Sequence, residues 1–568
     1  MLEMSRSSWI RRGLLPLCAA WLALSGCEGR PWNANASGTP RLEAIIRALQ
    51  PMARSGRGIP GHRPSARDRE GLARLYEAAG YVPLWFTTGG DLRGVGTEAL
   101  ELLTGAESDG LRPDDYAASR LDSLARAIAD QQDPDPQSVA RLDAGLSLAV
   151  LRYLRHLHQG RVNPRGVGLD MDPPSERHDV LTLLRGALED GSLKGTVEQL
   201  APPLVQYRRV RDALAQYRSR GGDTAEAVLQ LRVPLKPGDS VSGLDALARR
   251  LALTGDLPNI GGGPPLKYEG ALVDAVRRFQ TRRGLASEGV IGKETLEELN
   301  VPLSWRVRQL ELALERLRWI SDLSGEPFLM VNIPMFEVTA WESPWAPGAP
   351  SFRTGVIVGK ALDTETPVFQ DEMRYIIFRP YWNIPPGITK EEVIPAIESD
   401  PDYLRKNNME IVDGQGDDAK SLGEKGGNLD DVARGRLRIR QRPGPGNALG
   451  LIKFVFPNNQ NIYLHATPAE QLFDRSRRDF SHGCVRVEDP VGLAAWVLRD
   501  QPEWTPERIT EAMNGEEISR RVNLTQPLPV ILFYTTAVVE PDGTVRFAGD
   551  IYGQDRTLDR ALRQTPGL

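Results

Sequence analysis

Ser481-His482-Gly483-Cys484-Val485-Arg486 is the stretch on which the reading of this chain turns, with His465 nineteen positions before the cysteine. Of the three cysteines, Cys18 and Cys27 fall in what reads as an export signal. The folded body then holds one thiol, Cys484, too few for a disulfide within it. Two of the six histidines, His465 and His482, lie close to it in sequence. A lone cysteine with histidines in reach is a minimal set of groups for acyl transfer through a thiol. Thiolates attack carbonyls and thiols hardly do. A free cysteine titrates at about 8.5, so a base must take its proton, and imidazole titrates in a suitable range.

His465 ends the apolar run Asn461-Ile462-Tyr463-Leu464-His465, which reads as a strand whose rigid end points a side chain into a cleft. After Cys484, Asp489-Pro490 marks a helix start, with Val491, Ala494, Ala495 and Leu498 on its buried face. Cys484 is thus expected in a glycine-containing loop between a histidine-bearing strand and a helix. Gly483 lets the backbone approach a substrate closely. Successive amides there are candidates to hold a developing oxyanion, worth about 3–4 kcal/mol per donor in other enzymes.

Further out, apolar and period-two runs at Phe328 to Trp341, Thr354 to Val358, Arg374 to Ile384, Phe454 to Phe456 and Pro529 to Val538 predict more strands. Without regular intervening helices, they argue for a β-rich, mixed α+β domain over 302–556, led by a helix at 305–321. Residues 388–446 interrupt it with an acidic helical piece and a glycine-rich charged part, an insertion long enough to suggest a lid. Residues 557–568 read as a tail. Upstream, Leu142, Leu146, Ala149, Tyr153 and Leu157 share one helical face that Gly160 stops, so 67–237 reads as mostly helical. His156 and His158 near that helix end read as surface histidines. Residues 238–301 hold three short helical stripes, and 28–66, rich in proline, read as a tether with a short amphipathic helix at 41–53.

The 568 residues require more than one domain. A net charge of −5 offers no global basic field for nucleic acid. Arg6, Arg11 and Arg12 precede an apolar run too short to span a bilayer comfortably. It ends in Leu24-Ser25-Gly26-Cys27, which resembles a bacterial lipoprotein cleavage box, so residues 1–27 read as a signal peptide. The resemblance implies lipidation of Cys27 and a membrane anchor, and Glu28 by analogy favours the outer membrane. Facing the periplasm, the protein is expected in the cell envelope.

Phe279-Gln280, Gly284-Leu285, Glu288-Gly289-Val290-Ile291-Gly292, Thr295 and Leu299-Asn300 resemble the small three-helix peptidoglycan-binding domain. Its motif glycines are expected at turns with positive φ. His465 together with Ser481-His482-Gly483-Cys484 resembles the signature of L,D-transpeptidases with a YkuD-type catalytic domain. That resemblance implies Cys484 as nucleophile, His465 as general base, and His482 with Gly483 on the oxyanion side. Arg486 stands where the usual pattern has Asn, and is typical of the larger subfamily with a scaffold, a peptidoglycan-binding domain and a capping insertion. Leu75-Tyr76-Glu77 with Gly80 to Trp85, and Gly160-Arg161-Val162, resemble its scaffold. Tyr381-Trp382-Asn383-Ile384-Pro385-Pro386 resembles the strand into its cap, and Asp550-Ile551-Tyr552-Gly553 its C-terminal strand.

The implied reaction is attack of Cys484 on the diaminopimelate carbonyl of a tetrapeptide stem, release of D-alanine, and transfer to an amine to give a 3→3 cross-link. Arg486, Tyr463, Arg478 (or Arg477) and Trp382 are the candidates to hold the stem, arginine because its planar fork suits carboxylates. The implied partners are stem peptides and glycan, with penicillin-binding proteins or D,D-carboxypeptidases as suppliers of the substrate. No cofactor is implied, and no ligand pair has the spacing of a structural zinc site. An L,D-carboxypeptidase with water as acceptor, or a wall-anchoring lipoprotein without catalysis, remain open alternatives.

Overall fold

The computed structural model describes residues 39–564, apart from 62, 173–178, 221–227, 259–265, 321–322, 324 and 363. The export signal with Cys27 lies outside the described residues, as does the first part of the expected tether. No helix among the described residues is long and apolar enough to cross a membrane.

The helical part is built around Pro136–Gln159. The Asp135 side chain caps this helix by accepting from the Ser138 N–H at 3.0 Å, and Pro136 occupies the first turn, where a missing N–H costs little. The apolar stripe from Leu142 to Leu157 is buried as its spacing predicted, and Gly160 ends the helix at φ 82°. Pro40–Ser55, Ala66–Ala78, Gly94–Thr104 and Ala118–Ala129 pack around it. The expected tether is therefore corrected from residue 40 onward. Ile45 and Leu49 are fully buried in the scaffold core, and each such side chain contributes roughly 1.5–3 kcal/mol on burial. His156 is also corrected. It is half-buried, with Nδ1 3.0 Å from the Tyr116 hydroxyl, and burial together with the nearby Arg161, Arg152 and Arg155 pushes its pKa down to about 3. His158 Nδ1 lies 3.3 Å from the Leu200 carbonyl.

Buried polar pairs lock this core. Asp143 accepts from the Tyr76 hydroxyl (2.5 Å) and from the Leu84 and Trp85 N–H groups (3.1 and 2.9 Å). The Trp85 indole donates to Ser147 Oγ at 2.8 Å. These contacts give the Tyr76 and Gly80–Trp85 signature a structural reason. Arg161 and Val162 donate their N–H groups to Glu315 Oε1 (2.5 and 2.9 Å), which joins the scaffold to the helix Leu303–Leu317. That helix was expected to belong to the β-rich domain alone. Instead Leu310, Ala313, Leu314 and Leu317 enter the scaffold core, while Leu312 faces the core of the β-rich domain.

In the small domain, Leu244–Leu253, Ala271–Arg282 and Lys293–Leu299 form the three helices. Gln280, nearly fully buried, accepts from the Gly289 N–H (2.9 Å) and donates to the Val290 carbonyl (2.8 Å). This bracket explains why Gln280 and the Gly289 turn occur together. Gly289 has the expected positive φ (76°), whereas Gly292 precedes its helix at φ −85°. Buried Arg283 lies between the rings of Phe279 (4.9 Å) and Phe547 (4.6 Å) and so docks this domain on the β-rich one.

The β-rich domain is a nine-stranded sheet. Its order is Asp479–Ser481, Phe352–Gly359, Val485–Val487, Leu464–His465, Ile452–Val455, Phe369–Phe378, Arg520–Phe533, Phe328–Asn332 and Glu337–Trp341. Glu337–Trp341 also pairs with Phe352–Gly359, so the sheet closes on itself. The helices Pro490–Val497 and Pro506–Asn514 cover it, and Gln554–Gln564 adds Leu558 and Leu562 to its core. The expected tail is thus corrected over its described part. Asp550–Gly553, expected as a strand, is a turn into that helix, because the Asp550 carboxylate accepts from the Tyr534 hydroxyl (2.7 Å) and the Asp555 N–H (3.1 Å).

The insertion is a folded layer of its own. Trp382–Asn383, Arg438–Gln441, Met409–Asp413 and Lys420–Gly423 form a four-stranded antiparallel sheet in that order. Ile384, Val393, Leu404, Ile411 and Ile439 form its core. Buried Glu410 joins the strands through Arg440 (2.8 Å) and Arg442 (3.0 Å).

Candidate active site

Three short strands set the site. Leu464–His465 pairs in parallel with Val485–Val487, placing His465 opposite Arg486, and antiparallel with Ile452–Val455, placing His465 opposite Lys453. Laterally paired residues share a face of the sheet. Lys453, His465 and Arg486 therefore line one face, while Phe454, Leu464 and Val485 line the other and are buried in the core. Tyr463, two residues before His465, falls on the first face, with its ring 5.7 Å from the imidazole. Cys484, half-buried, immediately precedes Arg486's strand.

The Cys484 thiol donates weakly to the Asn461 carbonyl (3.7 Å), and the hydroxyl and backbone N–H of Tyr463 favour its ionised form. Burial pushes the thiol pKa up. Those two Tyr463 groups and the charges of Lys453 and Arg486 act against that rise. His465 is buried at 4 % exposure. Its Nδ1 lies 2.5 Å from the Ala466 carbonyl. A carbonyl can only accept, so Nδ1 carries the proton and Nε2 keeps its lone pair. Burial first, then Arg486, pushes the His465 pKa down to about 3, so the imidazole rests neutral. The resting site is a neutral thiol beside a neutral imidazole.

The loop that carries Cys484 is clamped from one side. Gly483 sits at φ 107°, and a Cβ there would come within 3.3 Å of Ile462. Thr366 Oγ1 donates to the Gly483 carbonyl (2.7 Å) and accepts from the Gly359 N–H (2.9 Å). Thr364 Oγ1 donates to the Ser481 carbonyl (3.1 Å). Ser481 Oγ donates to the Cys484 carbonyl (2.5 Å) and accepts from the Gly483 N–H (3.2 Å). The Gly483 amide is thus occupied and is corrected as an oxyanion donor. The Cys484 amide donates to no protein acceptor among the described residues.

The cap closes the cleft from above. The Trp382 side chain interacts with Tyr463, and His482 Nε2 lies 2.7 Å from Glu392 of the cap. His482 therefore turns its imidazole toward the cap. Arg486 is half-buried and makes no hydrogen bond or ion pair with protein among the described residues. Arg478 is corrected as a substrate ligand. Its guanidinium donates to the Phe473 and Phe336 carbonyls (3.1 and 3.0 Å), which ties two loops together. Arg477 pairs with Asp479 at 2.7 Å.

Sequence reasoning brought Cys484, His465, Tyr463, Trp382 and Arg486 to one cleft, and missed Lys453, Thr364, Thr366 and Glu392. Period two along Ile452–Val455 was the one available signal, since it sets Lys453 opposite the burial phase of Phe454. The threonines and Glu392 carry no local signature. Among the described residues no group of three or more His, Cys, Asp or Glu side chains is placed to hold a metal ion.

The described chain thus comprises a helical scaffold, a three-helix module and a closed β sheet whose capped cleft holds Cys484 and His465. Residues 326–516 match the family described as L,D-transpeptidase catalytic domain (YkuD), residues 70–214 the scaffold domain, and residues 244–299 the "Putative peptidoglycan binding domain". The chain thus carries a YkuD-family catalytic domain behind a scaffold and a peptidoglycan-binding domain. A curated protein of Haemophilus influenzae described as "Putative L,D-transpeptidase" is 31% identical over 284 residues, which covers 49% of this chain and 55% of that protein. The chain therefore spans about half the length of that relative. A solved L,D-transpeptidase from Xylanimonas cellulosilytica is 14% identical with a TM-score of 0.16, covering 54% of this chain and 100% of that one. A likeness at that level carries no structural argument.

Proposed function

We propose that the protein is a peptidoglycan L,D-transpeptidase of the cell envelope, tethered through a lipidated Cys27. The observation that supports the reading is the pairing of His465 with Arg486, whose strand Cys484 immediately precedes, on one face of the domain that matches the YkuD family. As Cys484 attacks the diaminopimelate carbonyl, its proton passes to His465 Nε2. The tetrahedral oxyanion meets the Cys484 amide. The C–N bond to D-alanine then breaks, and His465 returns the proton to the departing amine. The thioester is attacked by the side-chain amine of a second stem, His465 takes that proton, and the thiol is restored with a 3→3 cross-link formed. The neutral resting imidazole suits this role, since an imidazolium could accept no proton. Arg486, half-buried and with a side chain that makes no hydrogen bond or ion pair among the described residues, is the group we assign to a stem carboxylate. The folded cap restricts water, which favours amine acceptors over hydrolysis.

The test is incubation of the soluble chain (residue 28 onward) with disaccharide-tetrapeptide and mass analysis of the products. Cross-linked dimer is expected, and Cys484→Ala and His465→Ala should each abolish it. Tripeptide alone would reassign the protein as an L,D-carboxypeptidase. No turnover, with no acylation of Cys484 by a carbapenem, would remove both readings.

A further inference from the structure

Lys453 is the cation of the cleft that no motif announces. It is the register partner of His465 on the strand Ile452–Val455, so it shares a sheet face with His465 and Arg486. Its Nζ lies 3.7 Å from the centre of the Tyr463 ring. Among the described residues this ammonium makes no hydrogen bond or ion pair. A half-buried cation without a carboxylate partner is costly to keep, and such groups concentrate where charge develops during a reaction. Burial depresses its pKa, and the two charges that hold it up are Cys484 and Asp417 of the cap. Tyr463 beneath it interacts in turn with the Cys484 sulfur.

His465, flanked by Lys453 and Arg486, rests neutral, so it supplies no countercharge to the thiolate that forms as Cys484 ionises. That duty falls to the neighbouring cations. Tyr463 is the physical link, since its ring carries the ammonium on its face while its hydroxyl reaches the sulfur.

We infer that Lys453, seated on the Tyr463 ring, is a positioning residue that stabilises the Cys484 thiolate and holds the Tyr463 hydroxyl toward the sulfur. The inference rests on the proposed function only in taking Cys484 as the nucleophile. Lys453 stays protonated and forms no bond; the thiol proton still goes to His465.

The experiment is alkylation by iodoacetamide across pH 6 to 10.5 on the whole soluble chain, residue 28 onward, in which Cys484 is the lone thiol. Wild type is compared with Lys453→Met, Lys453→Gln and Lys453→Arg. The charges of Lys453 and Cys484 interact across the cleft, and a nearby opposite charge shifts a pKa by roughly one unit or more. Both neutral variants should therefore move the midpoint up by about one pH unit and label about tenfold more slowly near pH 7.5. The limiting rate at high pH should stay unchanged, and Arg should restore the profile to within about threefold. The Gln variant keeps the side-chain length, so it reads the charge if Met fails to fold. An unshifted midpoint in a folded neutral variant overturns the inference, as does a folded Arg variant as slow as the neutral ones. Alkylation needs no wall substrate, so this result stands apart from the turnover assay, which alone decides the transpeptidase reading.

Discussion

Thr366→Val probes the support of the Cys484 loop with little change in shape. Thr366 is fully buried, and its hydroxyl makes two bonds, donating to the Gly483 carbonyl (2.7 Å) and accepting from the Gly359 N–H (2.9 Å). Valine fills the same volume but leaves both backbone groups without a partner in a buried place. Each orphaned group costs about 1–3 kcal/mol, so roughly 2–4 kcal/mol is expected once partial relaxation is allowed. Gly483 carries a positive φ that its carbonyl anchor helps to hold. If about 2 kcal/mol of the loss falls on the loop rather than on the global fold, the competent geometry becomes about 30-fold rarer, since 1.4 kcal/mol is a factor of ten. The assay pairs denaturant midpoints with acylation of Cys484 by a carbapenem. Thr366→Ser, which keeps the hydroxyl, should stay within about threefold of wild type. Wild-type stability and acylation in the Val variant, or a Ser variant as slow as Val, would refute the reasoning.

His156 and His465 hold their pKa values near 3, well below the ordinary value of about 6.5. Between those values the unfolded chain binds protons that the native chain refuses. Stability is therefore full above pH 6.5 and falls on acidification, by up to about 1.4 kcal/mol per pH unit for each histidine. Urea midpoints at pH 7 and pH 5 check this, and equal midpoints would contradict the buried, neutral assignment. Asp68→Ala removes the partner of Arg152 (2.8 Å) and Arg155 (3.0 Å) in the scaffold core. Leaving those cations uncompensated should cost about 3–5 kcal/mol, read as a lower melting temperature; a variant as stable as wild type would show the pair to be idle. Arg486→Gln should lower kcat/KM for the tetrapeptide donor about 10- to 100-fold, with Lys recovering only part because it lacks the planar fork. An unchanged kcat/KM would remove Arg486 from substrate recognition.

Elements with a strong period were legible. The helix ending at Gly160 follows from spacing and turn chemistry, which are local, and so does the positive φ at Gly289. The tether was misread from residue 40 because an amphipathic helix with Ile45 and Leu49 on one face does not say what packs on it; the face of Pro136–Gln159 that buries them lies far along the chain. Arg478 looked like a substrate ligand because it sits six residues before Cys484. Chain proximity misled there, since the Phe336 carbonyl that engages it comes from a distant turn.

The order of residues alone determined the lone thiol, the histidine at a strand end and the glycine before the nucleophile. It also carried the burial phase of each strand, because these depend on residue type and on neighbours within a few positions. Only the tertiary structure decided the protonation of the pair, the cations that flank it, the threonine that steadies the loop and the cap that covers it. Those depend on burial and on charge separations across strands joined by more than a hundred residues in places, and such distances exist only once the sheet has closed.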